Sequence, residues 1–148
     1  LAARRRAFAE VPRQLDGTGA TALKLVDDLL ARIEAAATPL SERHTTEVEA
    51  LDARIAQYGE RGSGKKALED RHKRELRRHR TDELLAGLTV VAGTYRDALV
   101  AGEMARPDAA ADAVRRIHEA MEVLERNPNE ALLLQSLLWS LPVLTDRS

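Results

Sequence analysis

Gly59-Glu-Arg-Gly-Ser-Gly64-Lys65 has the spacing of a phosphate-cradling loop: Gly, four residues, then Gly-Lys. That chemistry needs a buried strand before the loop and a Ser or Thr after the Lys to hold magnesium. Lys66 follows instead, a helical pattern precedes, and no second acidic strand completes a nucleotide site. The glycines read as turn geometry at the tip of a hairpin. His72, Glu75 and His79 fall at steps of three and four on one helical side, and His44 on the neighbouring arm could join them. A zinc site would need that further ligand and a supporting second shell, so these histidines read as surface or hairpin-packing residues. His118, among Arg116, Glu119 and Glu122, reads as exposed.

Arg71, Lys73, Arg74, Arg77, Arg78 and Arg80 form a basic run. Phosphate contact by Arg71, Arg74, Arg77 and Arg78 is its functional reading. Glu69/Lys73, Asp70/Arg74, Arg71/Glu75 and Arg78/Asp82, however, sit at the four-residue spacing that pairs charges along a helix. No aromatic residue is interleaved for base stacking. A solvated, self-supporting helix is the plainer reading.

No Ser/His/Asp arrangement is recognisable. No carboxylate pair falls on an apolar face where a raised pKa would suit acid-base work. The chain has no cysteine, which excludes disulfides, thiolate zinc and cysteine nucleophiles. Net charge is −1, so bulk electrostatics do not draw polyanions. The sequence therefore implies no catalytic site, cofactor or metal.

These residues must be positioned by helices. Ala, Leu, Glu, Lys and Arg dominate, while aromatics are 3% and Val and Ile are sparse, which disfavours sheets. The spacing predicts a short helix over 2–10 carrying Phe8 and broken by Val11-Pro12, with Leu15 tucked beneath. A second over 20–37 has the stripe Leu23, Val26, Leu30 and Ile33, widened by Leu25 and Leu29. Thr38 as N-cap and Pro39 start a third to Tyr58, with the stripe Val48, Leu51, Ile55 and Tyr58. A fourth runs from Lys66 to Val100, roughly 50 Å at 1.5 Å per residue. Its first half has Leu68 and Leu76 alone as large apolar residues, whereas Leu84, Leu88, Val91, Tyr95 and Leu99 stripe the second. The first half and the third helix thus form a charged antiparallel hairpin over 39–83. A fifth helix over 108–126 turns Val114, Ile117, Met121 and Leu124 inward.

The last helix is expected over 127–144, with Asn127 as N-cap, Pro128 first and Glu130 closing a capping box. Leu134, Leu137, Leu138 and Leu141 form one stripe. Leu132 and Trp139, seven apart, lie nearly opposite, with Leu133 between. A helix apolar most of the way round is buried in its own core or at a partner surface. Trp is enriched where interfaces concentrate their energy. Leu132, Trp139 and Leu133 are therefore the candidate subunit contacts. The fold class expected is all-α: a bundle of five to six helices with a long central helix and a projecting charged hairpin. No run reaches the 18 or so apolar residues of a membrane span, and the expected location is the cytoplasm. Leu1 without an initiator Met reads as the start of a fragment of a longer chain.

Arg77-Arg-His-Arg-Thr-Asp-Glu-Leu-Leu-Ala-Gly-Leu88 with Tyr95-Arg-Asp-Ala-Leu99 resembles the long collar helix of a known family. Asn127-Pro-Asn-Glu-Ala-Leu-Leu-Leu134, Leu137-Leu138 and Leu141-Pro142 are similar to its final helix. Phe8, Val11-Pro12 and Leu15 resemble the start of the same domain. The family is the delta-prime subunits of bacterial DNA polymerase III clamp loaders, in their actinobacterial form, and the resemblance to their C-terminal part spans the chain. It implies a single non-catalytic collar domain over 1–148. Such a domain packs into a pentameric ring with three tau/gamma subunits and one delta subunit, in the complex that loads the sliding clamp onto primed DNA. ATP is hydrolysed in other subunits, and no catalytic residue of the family maps onto this chain. Ser41 to Arg80 departs from the commonest members in being longer and more charged. A tau/gamma collar domain and a helical nucleic-acid module using Arg71 to Arg80 are the competing readings. An isolated collar domain would also expose surface suited to self-association.

Overall fold

The computed structural model describes residues 1–59, 64–126 and 128–144. They form six helices and, among the described residues, no strand. These are α1 (Ala2–Gln14), α2 (Gly19–Ala36), α3 (Thr38–Tyr58), α4 (Lys65–Val100), α5 (Pro107–Leu124) and α6 (Glu130–Ser140). The chain is an all-α helical bundle.

α4 is the spine. Its C-terminal half buries Leu84, Leu88, Val91 and Tyr95, where α1 and α5 pack on it. Leu99, expected to complete that stripe, is half-buried near the helix end. α6 lies on α2 and α5. Phe8 and Val11 enter the core from α1 and Leu15 from just beyond its end, Val26, Leu29 and Ile33 from α2, and Leu134, Leu137 and Leu138 from α6.

Several expectations are corrected. α1 does not stop before Pro12 but runs through it to Gln14. Proline removes one N–H donor and disfavours helix at the preceding residue. Burial of Phe8, Val11 and Leu15 on both sides of it outweighs that cost. On α2 the buried stripe is Ala22, Val26, Leu29 and Ile33. Leu23 is exposed and Leu30 half-buried, because the small Ala22 lets the helix approach its neighbours on a rotated face. Thr18 caps α2 by accepting from the Thr21 N–H at 3.2 Å. Thr38 is not a cap. It is the first residue of α3, and Ala37 alone joins α2 to α3. Pro39 has no N–H to continue the α2 ladder. α5 buries Ala110, Ala113 and Ala120 beside Ile117 and Leu124, while Val114 and Met121 sit at the core edge.

α6 begins at Glu130, not Asn127. Asn129 is its N-cap, its Oδ1 accepting from the Leu132 N–H at 3.1 Å. Glu130 is thus the first helical residue, and its carboxylate meets Arg80 at 3.5 Å instead of closing a capping box. Asn127 lies outside the described residues. The helix ends at Ser140, and Leu141 to Leu144 continue without helix. The Leu144 N–H donates to the Pro12 carbonyl at 3.0 Å, and the Tyr95 hydroxyl donates to that of Pro142 at 2.6 Å. Two hydrogen bonds and the burial of Leu141 and Leu144 pin this strap across the bundle.

Candidate assembly face and charged hairpin

Of α6, one side closes the bundle. Leu134, Leu137 and Leu138 are buried, and Leu141 just beyond the helix joins them. The other side faces outward. Leu132 and Trp139 are 63% and 64% exposed, high values for a leucine and the single tryptophan of the chain. Leu133 packs half-buried on the core edge between them. A surface Trp keeps apolar area in water that burial would favour by a few kcal/mol. The Trp139 indole lies over Gly19, 3.5 Å from where a Cβ there would stand, so it is seated on α2. Leu23, one turn further along α2, is 46% exposed and extends the apolar face. Leu23 was missed from sequence because its spacing fits a core stripe as well as a flanking position. Arg116 on α5 donates to the Ser140 carbonyl at 3.0 Å and fixes the far end of α6.

The second region is the hairpin. α3 packs on α4 and, near its start, on α2. Its residues pair antiparallel with the first half of α4: Asp52 with Lys65 at 3.0 Å, Glu47 with Arg71 at 2.8 Å, and His44 with Glu75 at 2.9 Å. The expected stripe of Val48, Leu51 and Ile55 is only half-buried, and Tyr58 is exposed. The buried residues here are instead His44 and His72. Their rings stack with centroids 3.8 Å apart and planes 12° from parallel. Each Nε2 meets the glutamate of the opposite helix: His44 with Glu75, and His72 with Glu47 at 3.1 Å. His-x-x-Glu on each arm thus forms a crossed clasp. Hydrogen bonds from His72 and His44 hold the carboxyls of Glu47 and Glu75, respectively, below the usual carboxylate range. Arg71 reaches both glutamates, at 2.8 and 3.4 Å.

The histidines therefore pack the hairpin. Among the described residues no group of three or more His, Asp or Glu is placed to hold a metal ion. His79 stands one helical step away, at the cleft between the hairpin base and α6 that Arg77, Arg80 and Glu130 also line. The Gly-rich loop at 60–63 lies outside the described residues.

Of the expected phosphate contacts, Arg71 and Arg74 share a groove between the hairpin arms, whereas Arg77 lines the separate cleft at the base. Arg78 is 85% exposed and loosely paired with Asp82 at 3.9 Å. The Glu69/Lys73 and Asp70/Arg74 pairs expected from spacing are not formed; Glu69, Lys73 and Arg74 are exposed, and such surface pairs gain little by closing. Arg54 of α3 also lines the groove, which reading α4 by itself could not reveal.

Burial raises the Glu83 carboxyl, but Arg4 at 3.1 Å and Arg5 at 3.5 Å outweigh it and hold it below the ordinary range. This pairing ties α1 to the middle of α4. No described helix is long and apolar enough to cross a membrane. The chain matches no protein-family model, no curated protein and no solved structure.

Proposed function

We propose that the chain is a non-catalytic subunit-assembly domain, of the kind that forms the collar of a bacterial clamp loader, in the delta-prime position. The observation that carries this reading is the outward side of α6. Leu132 and Trp139 are more than half exposed on a helix whose other side is core. A large aromatic and a leucine at two-turn spacing, seated on a rigid bundle, are the anchors an interface uses. The order of motifs along the chain, from Phe8 to Pro142, supports the delta-prime assignment by resemblance. On this reading the partners are tau/gamma and delta subunits, the sliding clamp and primed DNA are met through the assembled ring, and the setting is the cytoplasm.

The test is co-elution in size-exclusion chromatography of the chain with cognate tau/gamma and delta subunits. The expected result is a complex that Leu132→Asp and Trp139→Asp each abolish while helicity is retained. Absence of any complex with the unaltered chain sinks the reading. A variant that unfolds would show that the face belongs to the core.

A further inference from the structure

The two flanks of the hairpin differ in charge. On one flank Arg43, Glu47, Ala50 and Arg54 of α3 recur at steps of three and four, which places them on one helical side. Ala67, Arg71, Arg74, Arg78 and Asp82 of α4 do the same. Glu47, Ala50, Arg54, Ala67, Arg71 and Arg74 meet in the groove between the arms. The face thus sets five arginines against Glu47 and Asp82, a net charge of +3. All five arginines are exposed. Arg43, Arg54 and Arg74 have no acidic partner among the described residues. The opposite flank is balanced: Lys66, Lys73, Arg77 and Arg80 stand against Glu42, Glu49, Asp52 and Glu69.

We infer that the arginine flank of the hairpin, centred on Arg54, Arg71 and Arg74, is a sequence-independent docking face for the phosphate backbone of a nucleic-acid duplex. Every cation on this flank is an arginine, and the guanidinium fork matches phosphate geometry better than an ammonium does. Arg43 to Arg54 spans about 16 Å of helix. Two packed helices set the arginine ridges about 8–10 Å apart, a surface along which regularly spaced phosphates can lie. The groove floor is shallow, with Ala50 and Ala67 exposed and Leu51 and Leu68 half-buried. The floor is apolar and the rims carry Arg54 on one arm and Arg71 and Arg74 on the other, and it is the guanidinium forks on both rims that favour a phosphate backbone. Arg71 is already shared between Glu47 and Glu75, so Arg43, Arg54 and Arg74 are the cations that would release counterions. This face is separate from the outward side of α6 and does not depend on the assembly reading.

The experiment is fluorescence anisotropy of a labelled duplex of mixed sequence titrated with the chain. Three phosphates neutralised give a slope of log K against log salt of about −3, so affinity falls roughly forty-fold between about 50 and 200 mM salt. Arg54→Ala and Arg74→Ala are each expected to flatten that slope by about 0.9 with helicity unchanged. Lys66→Ala and Lys73→Ala, on the balanced flank, leave it unaltered. No saturable binding at about 50 mM salt overturns the inference. So does an equal loss in the lysine variants, which would indicate diffuse attraction. A glutamate-rich peptide of matched charge that binds more tightly than the duplex through the same arginines would assign the face to an acidic protein and overturn it too.

Discussion

Gly87 lies inside α4, where alanine would ordinarily be the better helix residue by about 1 kcal/mol. Here the opposite is expected. A Cβ at Gly87 would lie 2.4 Å from Cζ of Phe8 and 2.5 Å from its Cε1 and Cε2. Carbon atoms in good contact lie about 3.5–4.0 Å apart, so the ring would have to retreat by about 1 Å or more. Phe8 is 1% exposed and has core on every side. Overpacking of that kind costs about 1–3 kcal/mol, and a displacement this large draws on the upper half of the range. After the gain in helix propensity, Gly87→Ala should lower stability by about 1–2 kcal/mol. Gly93 is the internal control, because a Cβ there meets nothing within 4 Å. Gly93→Ala should raise stability by about 0.5–1 kcal/mol. The assay is urea unfolding followed by circular dichroism at constant m-value. A Phe8→Ala background removes the ring, and in it Gly87→Ala should become stabilising, like Gly93→Ala. If Gly87→Ala stabilises the unaltered chain, or costs the same with and without Phe8, the packing of α1 on α4 is not as described.

The strap after α6 gives a second prediction. Tyr95→Phe leaves the half-buried Pro142 carbonyl without its 2.6 Å donor and should cost about 1 kcal/mol in the same urea assay. Burial pushes the Tyr95 phenol above its ordinary range, so in ultraviolet titration of the Tyr95→Phe variant the ionisation step above the ordinary tyrosine range should be missing. The crossed clasp gives a third. Glu47 and Glu75 have folded-state pKa values held below their ordinary value. Their contribution is therefore complete above the unfolded carboxylate range near pH ~4.3 and is lost as pH falls through the folded values. Acid should release the hairpin before the bundle, read as exchange broadening of the His44 and His72 ring resonances while that of Trp139 holds. Glu47→Gln with Glu75→Gln should remove the step. Fourth, Leu132→Asp should change stability of the isolated chain by less than about 0.5 kcal/mol, as surface substitutions do, whereas Trp139→Asp, which also loses the seat of the indole on Gly19, should cost about 1–2 kcal/mol, both measured by denaturant midpoint.

Long, strongly periodic segments were legible. The break in character within α4 at Glu83 follows from where large apolar residues begin, and Leu84, Leu88, Val91 and Tyr95 are buried as their spacing requires. The two-sidedness of α6 was equally readable, and its Leu134, Leu137, Leu138 and Leu141 side is core. What periodicity could not rank was Leu against Ala. Ala22, Ala110, Ala113 and Ala120 are buried because helices approach closely there, and approach distance is a tertiary property. Local rules also misplaced ends. Pro12 sits within α1 because packing on both sides of it decides. Asn129 caps α6 although Asn127 satisfies the same residue preference. The clasp was half visible: His72, Glu75 and His44 were singled out and read as hairpin packing, as His44 and His72 are, but the pairing itself was not foreseen. Their actual arrangement depends on Glu47, which only the register between α3 and α4 brings to His72.

The most direct test of the assembly reading uses the single tryptophan of the chain. Trp139 labelled as 5-fluorotryptophan gives one fluorine resonance, observable in the presence of unlabelled tau/gamma and delta subunits. Burial of the outward side of α6 predicts that this resonance moves away from its solvent-exposed position as the complex forms, with a midpoint matching the binding isotherm. A complex that forms while the resonance stays at its free position would contradict the account, because the subunits would then meet some other face of the bundle.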